Sequence, residues 1–297
     1  MPSVTGRLAN GSSPAGIVRP LAAGGVLARR RETLDGSMSH HLLLWGAVPF
    51  LLCALCVPLG SQQIAPPEST ARVLPPSETL HFTVEWKLIT AGRARLSWSG
   101  QPSGGWQTLL RIESAGLVSK LFKVQDDFKS TFAADLCAAG SELMASEGAR
   151  RRDTRITYNR DTLKAHYLER DLVKNTIVLE KETDIPGCVY DIVGALYHLR
   201  TLNLEPGQTV QLPVSDGKKS VSARIEAQTR EEIKTPAGVR KTIRYEAFLF
   251  NNVLYQRQGR VFIWLTDDRQ RVPVQIRVRL QFHIGTITLL LEKEERP

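Results

Sequence analysis

The chain has 297 residues, 42% of them hydrophobic and 23% charged, which is enough apolar material for a packed core. Its formal charge of +9 invites a nucleic-acid partner, but the surplus is dispersed rather than gathered into a basic stripe, so no nucleic-acid binding is expected. Of the four cysteines, Cys53 and Cys56 form the one CxxC pair and lie inside an apolar run near the N-terminus, so a zinc ribbon or a thioredoxin-type redox centre is not expected.

Residues 1–37 are rich in Gly, Ser, Ala and Arg and have no apolar periodicity. They read as a disordered basic extension, with Met38 a sensible true start. Residues 38–61 contain the uncharged run 42–59 and resemble an export signal. Retention as a membrane anchor is the alternative, since a span takes roughly 17–25 residues; Pro49 and Pro58 disfavour one straight helix. Residues 62–78, with Pro66, Pro67, Pro75 and Pro76, read as an extended, membrane-proximal linker. The expected address is the periplasm or cell envelope. There Cys137 and Cys188, the two remaining cysteines, form either a disulfide or two separate buried thiols.

A β-rich domain is expected over 79–293. It opens at 80–88 with a period of two, meets a turn or bulge at Thr90-Ala91-Gly92, and alternates again through Ala94, Leu96 and Trp98. Further strands are predicted at 106–113, 122–132, 154–159, 163–169 and 175–182. One helix interrupts them. Ile192, Ala195, Leu196 and Leu199 fall on one stripe, and Asp191 can cap the first turn with its carboxylate. Strands resume at 209–215 and 220–228 around Asp216-Gly217, a pair suited to the positive φ of a hairpin turn. Pro236-Ala237-Gly238 turns the chain into 242–250. In 260–282 two strand-like runs flank Asp267-Asp268-Arg269-Gln270-Arg271. Val274, Ile276, Val278, Leu280 and Phe282 share one face there, and Gln275, Arg277, Arg279 and Gln281 the other. A last strand is predicted in 285–292.

Ile89-Thr90-Ala91-Gly92, Leu199-Arg200-Thr201-Leu202 with Pro206-Gly207, and Thr235-Pro236-Ala237-Gly238 carry a family resemblance. So do Ile263-Trp264-Leu265-Thr266-Asp267-Asp268 with Val272-Pro273-Val274, and Gly285-Thr286. In order and spacing they resemble the domain of unknown function family 3108 across roughly 80–291. The resemblance implies an exported, antiparallel β-rich bacterial envelope protein and carries no catalytic residues with it. The expected fold is mainly β: a single antiparallel sheet, strongly curved or barrel-like, with one α-helix packed over an opening or edge.

For function, the residues offer little reactive chemistry. Asp267-Asp268 lie between strands beside Arg269 and Arg271, where Asp commonly makes turn hydrogen bonds. Asp126 is in phase with Phe122, Val124 and Phe128, so a buried carboxylate with an arginine partner or a ligand contact is expected. His81, His166, His198 and His283 have no metal-ligand spacing, and no phosphate-binding loop or nucleophile elbow occurs, so neither metal nor cofactor is expected. Trp86, Trp98, Trp106 and Trp264 lie on strands; in a curved sheet they could line an apolar cavity. Asp126, Trp86, Trp98 and Trp264 are therefore the candidate ligand contacts. The leading reading is a non-catalytic carrier or binding module for a lipid-like or amphipathic ligand, with a glycan as another possible ligand. A hydrolase of envelope lipid or glycan using Asp126 or Asp267, and a scaffold without ligand, are the alternatives. An outer-membrane barrel is disfavoured by the many Arg and Lys on the outward faces.

Overall fold

The computed structural model describes residues 74–87, 89–281 and 285–296. The basic extension, the apolar run with Cys53 and Cys56, the linker up to residue 73, Phe282 and His283 lie outside the described residues. The described chain forms fourteen strands and two helices. Before the long helix come β1 (Ser77–Trp86), β2 (Ile89–Gly100), β3 (Trp106–Ser114), α1 (Gly116–Leu121), β4 (Val124–Phe132), β5 (Ala138–Glu147), β6 (Arg150–Asn159), β7 (Lys164–Asp171) and β8 (Thr176–Asp184). After α2 (Ile192–Thr201) come β9 (Thr209–Ser215), β10 (Ser220–Thr235), β11 (Gly238–Ala247), β12 (Gly259–Thr266), β13 (Pro273–Leu280) and β14 (Thr286–Glu295).

All fourteen strands belong to one antiparallel sheet, in the order β8-β7-β6-β5-β4-β3-β2-β1-β14-β13-β12-β11-β10-β9. Sequence neighbours pair as hairpins in each half. A single non-local pairing joins the halves, with Trp86 opposite Ile287 and Thr79 opposite Glu295. The sheet is not closed, and β8 and β9 are its edges. It rolls up instead, so that the β9–β10 corner meets the inward face of β6 and β7. There Tyr158 Oη donates to Ser215 O at 3.3 Å, and Lys218 Nζ lies 5.1 Å above the Tyr167 ring. Gly217, at φ +80°, presses so closely on Ile156 that a Cβ would sit 2.8 Å from its Cγ2.

Two elements are present that the sequence did not predict. Residues 138–147 form β5, a strand without a legible apolar stripe because Ala, Gly, Ser and Glu dominate it. A second, six-residue helix, α1, follows β3; it buries no residue and has no side-chain N-cap, which leaves no periodic signal to read. The bulge expected at Thr90-Ala91-Gly92 is present. Ala91 is the extra residue, because Val84 pairs with Gly92 and Glu85 with Thr90.

Cross-strand partners share a face, so one row can be followed across the sheet through Glu78, Trp98, Thr108, Ser130, Ser141, Ile156 and Tyr167. Helix α2 lies along this row on the concave side. Its N-cap Asp191 accepts from Gly194 N at 2.6 Å and from the Ser130 hydroxyl on β4. Tyr197 stacks on Trp98 at a centroid distance of 4.1 Å. Arg200 reaches Glu78 on β1, with Nη2 donating to Oε2 at 3.1 Å. Three interstrand steps of about 4.8 Å separate β4 from β1, close to the span of about 13.5 Å covered by nine residues of helix. The fit requires close approach at Gly194, where a Cβ would sit 2.6 Å from Phe132 Cε1.

The crossover from β8 to α2 covers the β9 edge. Tyr190 N donates to Pro213 O and Ser215 N to Tyr190 O, both at 2.9 Å. A disulfide between Cys137 and Cys188, with Cα atoms 5.2 Å apart, fastens this crossover to the β4–β5 turn.

Candidate functional site

The inward residues of β1, β2, β9–β14 and the apolar stripe of α2 do not fill the space between them. They enclose a cavity of about 400 Å³ whose wall is almost entirely carbon. Its walls come from Phe82 and Leu96, from Val214 and Ile225, from Val261 and Ile263, and from Ile276, Val278 and Leu289. Val193, Ala195, Leu196 and Leu199 of α2 close one side, and the loop after β11 contributes Leu249, Phe250 and Tyr255. A volume of this size is within the range of small-molecule sites, and its lining offers contact to hydrocarbon and little else.

A second recess of about 230 Å³ adjoins the first, sharing Ile192 and Tyr255 with it. Its wall is mixed: Tyr158, Tyr167, Asp191, Ser215, Asp216 and Lys218 contribute alongside Ile156 and Phe128. Burial holds the Tyr158 phenol well above its ordinary range and pushes Tyr167 and Tyr255 up to about 12, so all three remain neutral near pH 7. Burial likewise raises the Asp191 carboxyl, against the opposing hydrogen bonds from Ser130 and from the backbone of Gly194 and Val193. The two recesses together offer an apolar chamber with a polar end.

None of the four predicted contacts lines the apolar chamber. Trp98 faces inward but is packed solid between Trp106 at 4.7 Å and Tyr197 at 4.1 Å, with its indole N–H given to Pro75 O. Trp264 is on the face opposite to Ile263 and lies beneath the Arg277 guanidinium, 5.1 Å from its ring. Trp86, at the end of β1, has Lys87 Nζ 4.9 Å above its ring. Asp126 is half-buried, and burial raises its carboxyl. In place of the expected arginine bond it accepts the Ser146 N–H at 2.9 Å, while Arg111 binds the adjacent Asp127 through Nε at 2.5 Å and Nη2 at 3.1 Å.

The acidic pair is a structural turn. Asp268 accepts from Thr266 Oγ1, Gln270 N and Arg271 N at 2.7 to 3.1 Å, and Asp267 takes the Arg230 guanidinium at 2.8 Å. The cavity residues were legible only in part. Val274, Ile276 and Val278 point to the concave side as their alternation requires, and the latter two line the chamber. The share from β10, α2 and the 248–258 loop had no local signal, because each residue there reads as ordinary core.

Across residues 81–292 the sequence matches a family described as a protein of unknown function, DUF3108. The chain belongs to the DUF3108 family. Among curated proteins none matches this DUF3108 member. It is similar to a solved beta-barrel-like protein of the DUF1849 family from Brucella abortus, at 8% identity over 75% of this chain and 98% of that one, with a TM-score of 0.48. A DUF1089 family protein from Pseudomonas aeruginosa aligns at 13% identity over 59% and 90% of the two chains, TM-score 0.32. A candidate exported protein with a YmcC-like fold from Bacteroides fragilis aligns at 10% identity over 76% and 100%, TM-score 0.30. Among the described residues, no helix is long and apolar enough to cross a membrane.

Proposed function

We propose that this DUF3108 member is an exported binding or carrier protein of the bacterial envelope for an amphipathic, lipid-like ligand. The observation that supports it is the apolar chamber of about 400 Å³ adjoining a polar recess. A hydrocarbon chain gains by leaving water for such a wall, by about 0.8 kcal/mol per buried methylene. The polar recess then receives the head group, with the neutral Tyr255 phenol as a donor and Lys218 as the available positive charge. Export is supported by the Cys137–Cys188 disulfide, a bond that persists in oxidising compartments.

Native mass spectrometry of protein purified without detergent tests the reading. The expected spectrum carries lipid-sized mass increments that vanish in Ala247→Phe, which places a ring in the chamber. A bare polypeptide mass in both proteins, together with no uptake of a fluorescent fatty acid, overturns it.

A further inference from the structure

The loops that follow odd-numbered strands all emerge at one end of the antiparallel sheet. Two loops at this end, on either side of the β5–β6 turn, expose large apolar side chains to solvent: Leu117 is 65% exposed, Leu121 77% and Phe122 53% after β3, and Val173 65% after β7. They form one connected surface. Ala115 N donates to Ala91 O at 2.8 Å, Gly148 N to Lys123 O at 2.7 Å and Leu172 N to Arg151 O at 3.0 Å, which links the β1–β2 turn, the α1 loop, the β5–β6 turn and the β7–β8 turn. Lys120, Lys123 and Lys174 stand among the apolar tips; Lys174 is near Asp171, and Lys120 and Lys123 form no salt bridge among the described residues. The nearby acidic groups are already engaged: Glu147 with Arg150, and Asp171 with Arg152 and the backbone of Val173 and Lys174.

From this surface we infer that the loop end around α1 docks on an anionic phospholipid bilayer, inserting Leu117, Leu121, Phe122 and Val173 below the head groups. The charge decides the occupant. Exposed leucine and phenylalanine alone would suit any apolar partner, but the interspersed Lys120 and Lys123 complement a negatively charged lipid surface. The same end carries the 248–258 loop, whose Leu249, Phe250 and Tyr255 wall the chamber. A docked molecule would therefore present that wall toward the membrane. The docking inference stands independently of ligand binding in the chamber.

Hydrogen–deuterium exchange of the full chain tests it, because a local readout separates these loops from attachment through the apolar run at 42–59. Vesicles of phosphatidylglycerol and phosphatidylcholine are compared with phosphatidylcholine alone. The expected result is exchange slowed by about fivefold or more at 115–123 and 171–175 with the anionic vesicles only, and restored to the free rate in both Lys120→Glu/Lys123→Glu and Leu121→Ser/Val173→Ser. Unchanged exchange in these loops, or slowing that survives both double variants, overturns the proposal. Slowing without vesicles that grows with protein concentration also overturns it and assigns the patch to a second copy of the chain. An empty chamber by mass spectrometry combined with protected loops would sink the carrier reading and leave docking intact.

Discussion

Arg200 of α2 and Glu78 of β1, 122 residues apart in sequence, form a fully buried two-point ion pair. Tyr197 Oη adds a third hydrogen bond to the same carboxylate at 3.1 Å. Burial opposes the charge on Arg200, but the Glu78 carboxylate outweighs it and raises the guanidinium pKa. The pair ties the end of the helix to the strand that joins the two halves of the sheet.

Removing Arg200 leaves the buried Glu78 carboxylate to Tyr197 and to the more distant Arg296, whose Nη2 is 3.7 Å from Oε2. Arg200→Met is expected to destabilise the fold by about 3–5 kcal/mol, whereas Glu78→Leu/Arg200→Met recovers most of that loss. Urea unfolding of the two variants and the parent measures the difference. A double variant as unstable as the single one would mean that the helix end is held by something else.

Asp191 gives a pH dependence of known sign. Burial raises its folded-state pKa above the ordinary carboxylate value, so its contribution to stability is fully present below that ordinary value and is lost as pH rises through the folded pKa. Asp191→Asn keeps an acceptor for Gly194 N–H and carries no charge to bury. It should flatten this segment of the stability–pH curve and be the more stable protein at pH 7. Asp191→Ala removes the cap as well and is expected to lose about 1–2 kcal/mol relative to Asn. Thermal unfolding of the three proteins between pH 4 and 8 checks both statements.

The Cys137–Cys188 bond closes a loop with a sequence separation of 51. A chain-entropy treatment of that loop assigns the bond about 4 kcal/mol. The double Cys→Ser variant should unfold at correspondingly lower denaturant. It should also show faster amide exchange in 209–215, because the crossover that covers β9 is then held by fewer contacts. Equal exchange in the oxidised and variant proteins would show that the backbone bonds of Tyr190 suffice.

The two adjacent aspartates should behave differently. Asp268→Ala removes the acceptor of three turn hydrogen bonds and is expected to cost about 1–2 kcal/mol. Asp267→Asn disturbs an exposed pair with Arg230 and should leave the unfolding midpoint unchanged. The reverse order would return the acidic pair to consideration as a reactive site.

Local patterns carried much of this structure. A period of two marks most of the strands, since alternate side chains of a half-buried strand meet core and solvent in turn. The stripe Ile192, Ala195, Leu196, Leu199 and the cap Asp191 marked α2 as a helix. Where a strand is buried on both faces, the pattern fails. In β12 all six residues from Val261 to Thr266 are buried, so nothing in the run assigns Trp264 to the face away from the chamber. Glu78 was hidden for a similar reason, because a charged residue after Pro75-Pro76 reads as linker rather than as the anchor of a helix.

The sequence by itself determined an antiparallel β-rich domain, most of its strands, the helix after β8 and the family. Only the tertiary structure decided that β1 pairs with β14, that the sheet rolls without closing, and that α2 lies along the row from Ser130 to Glu78. The physical reason is range. Alternation, caps and turn residues act over a few positions, whereas a cavity is a volume left between strands far apart in sequence. Its walls are made of the same Leu, Ile, Val and Phe side chains that elsewhere fill the core.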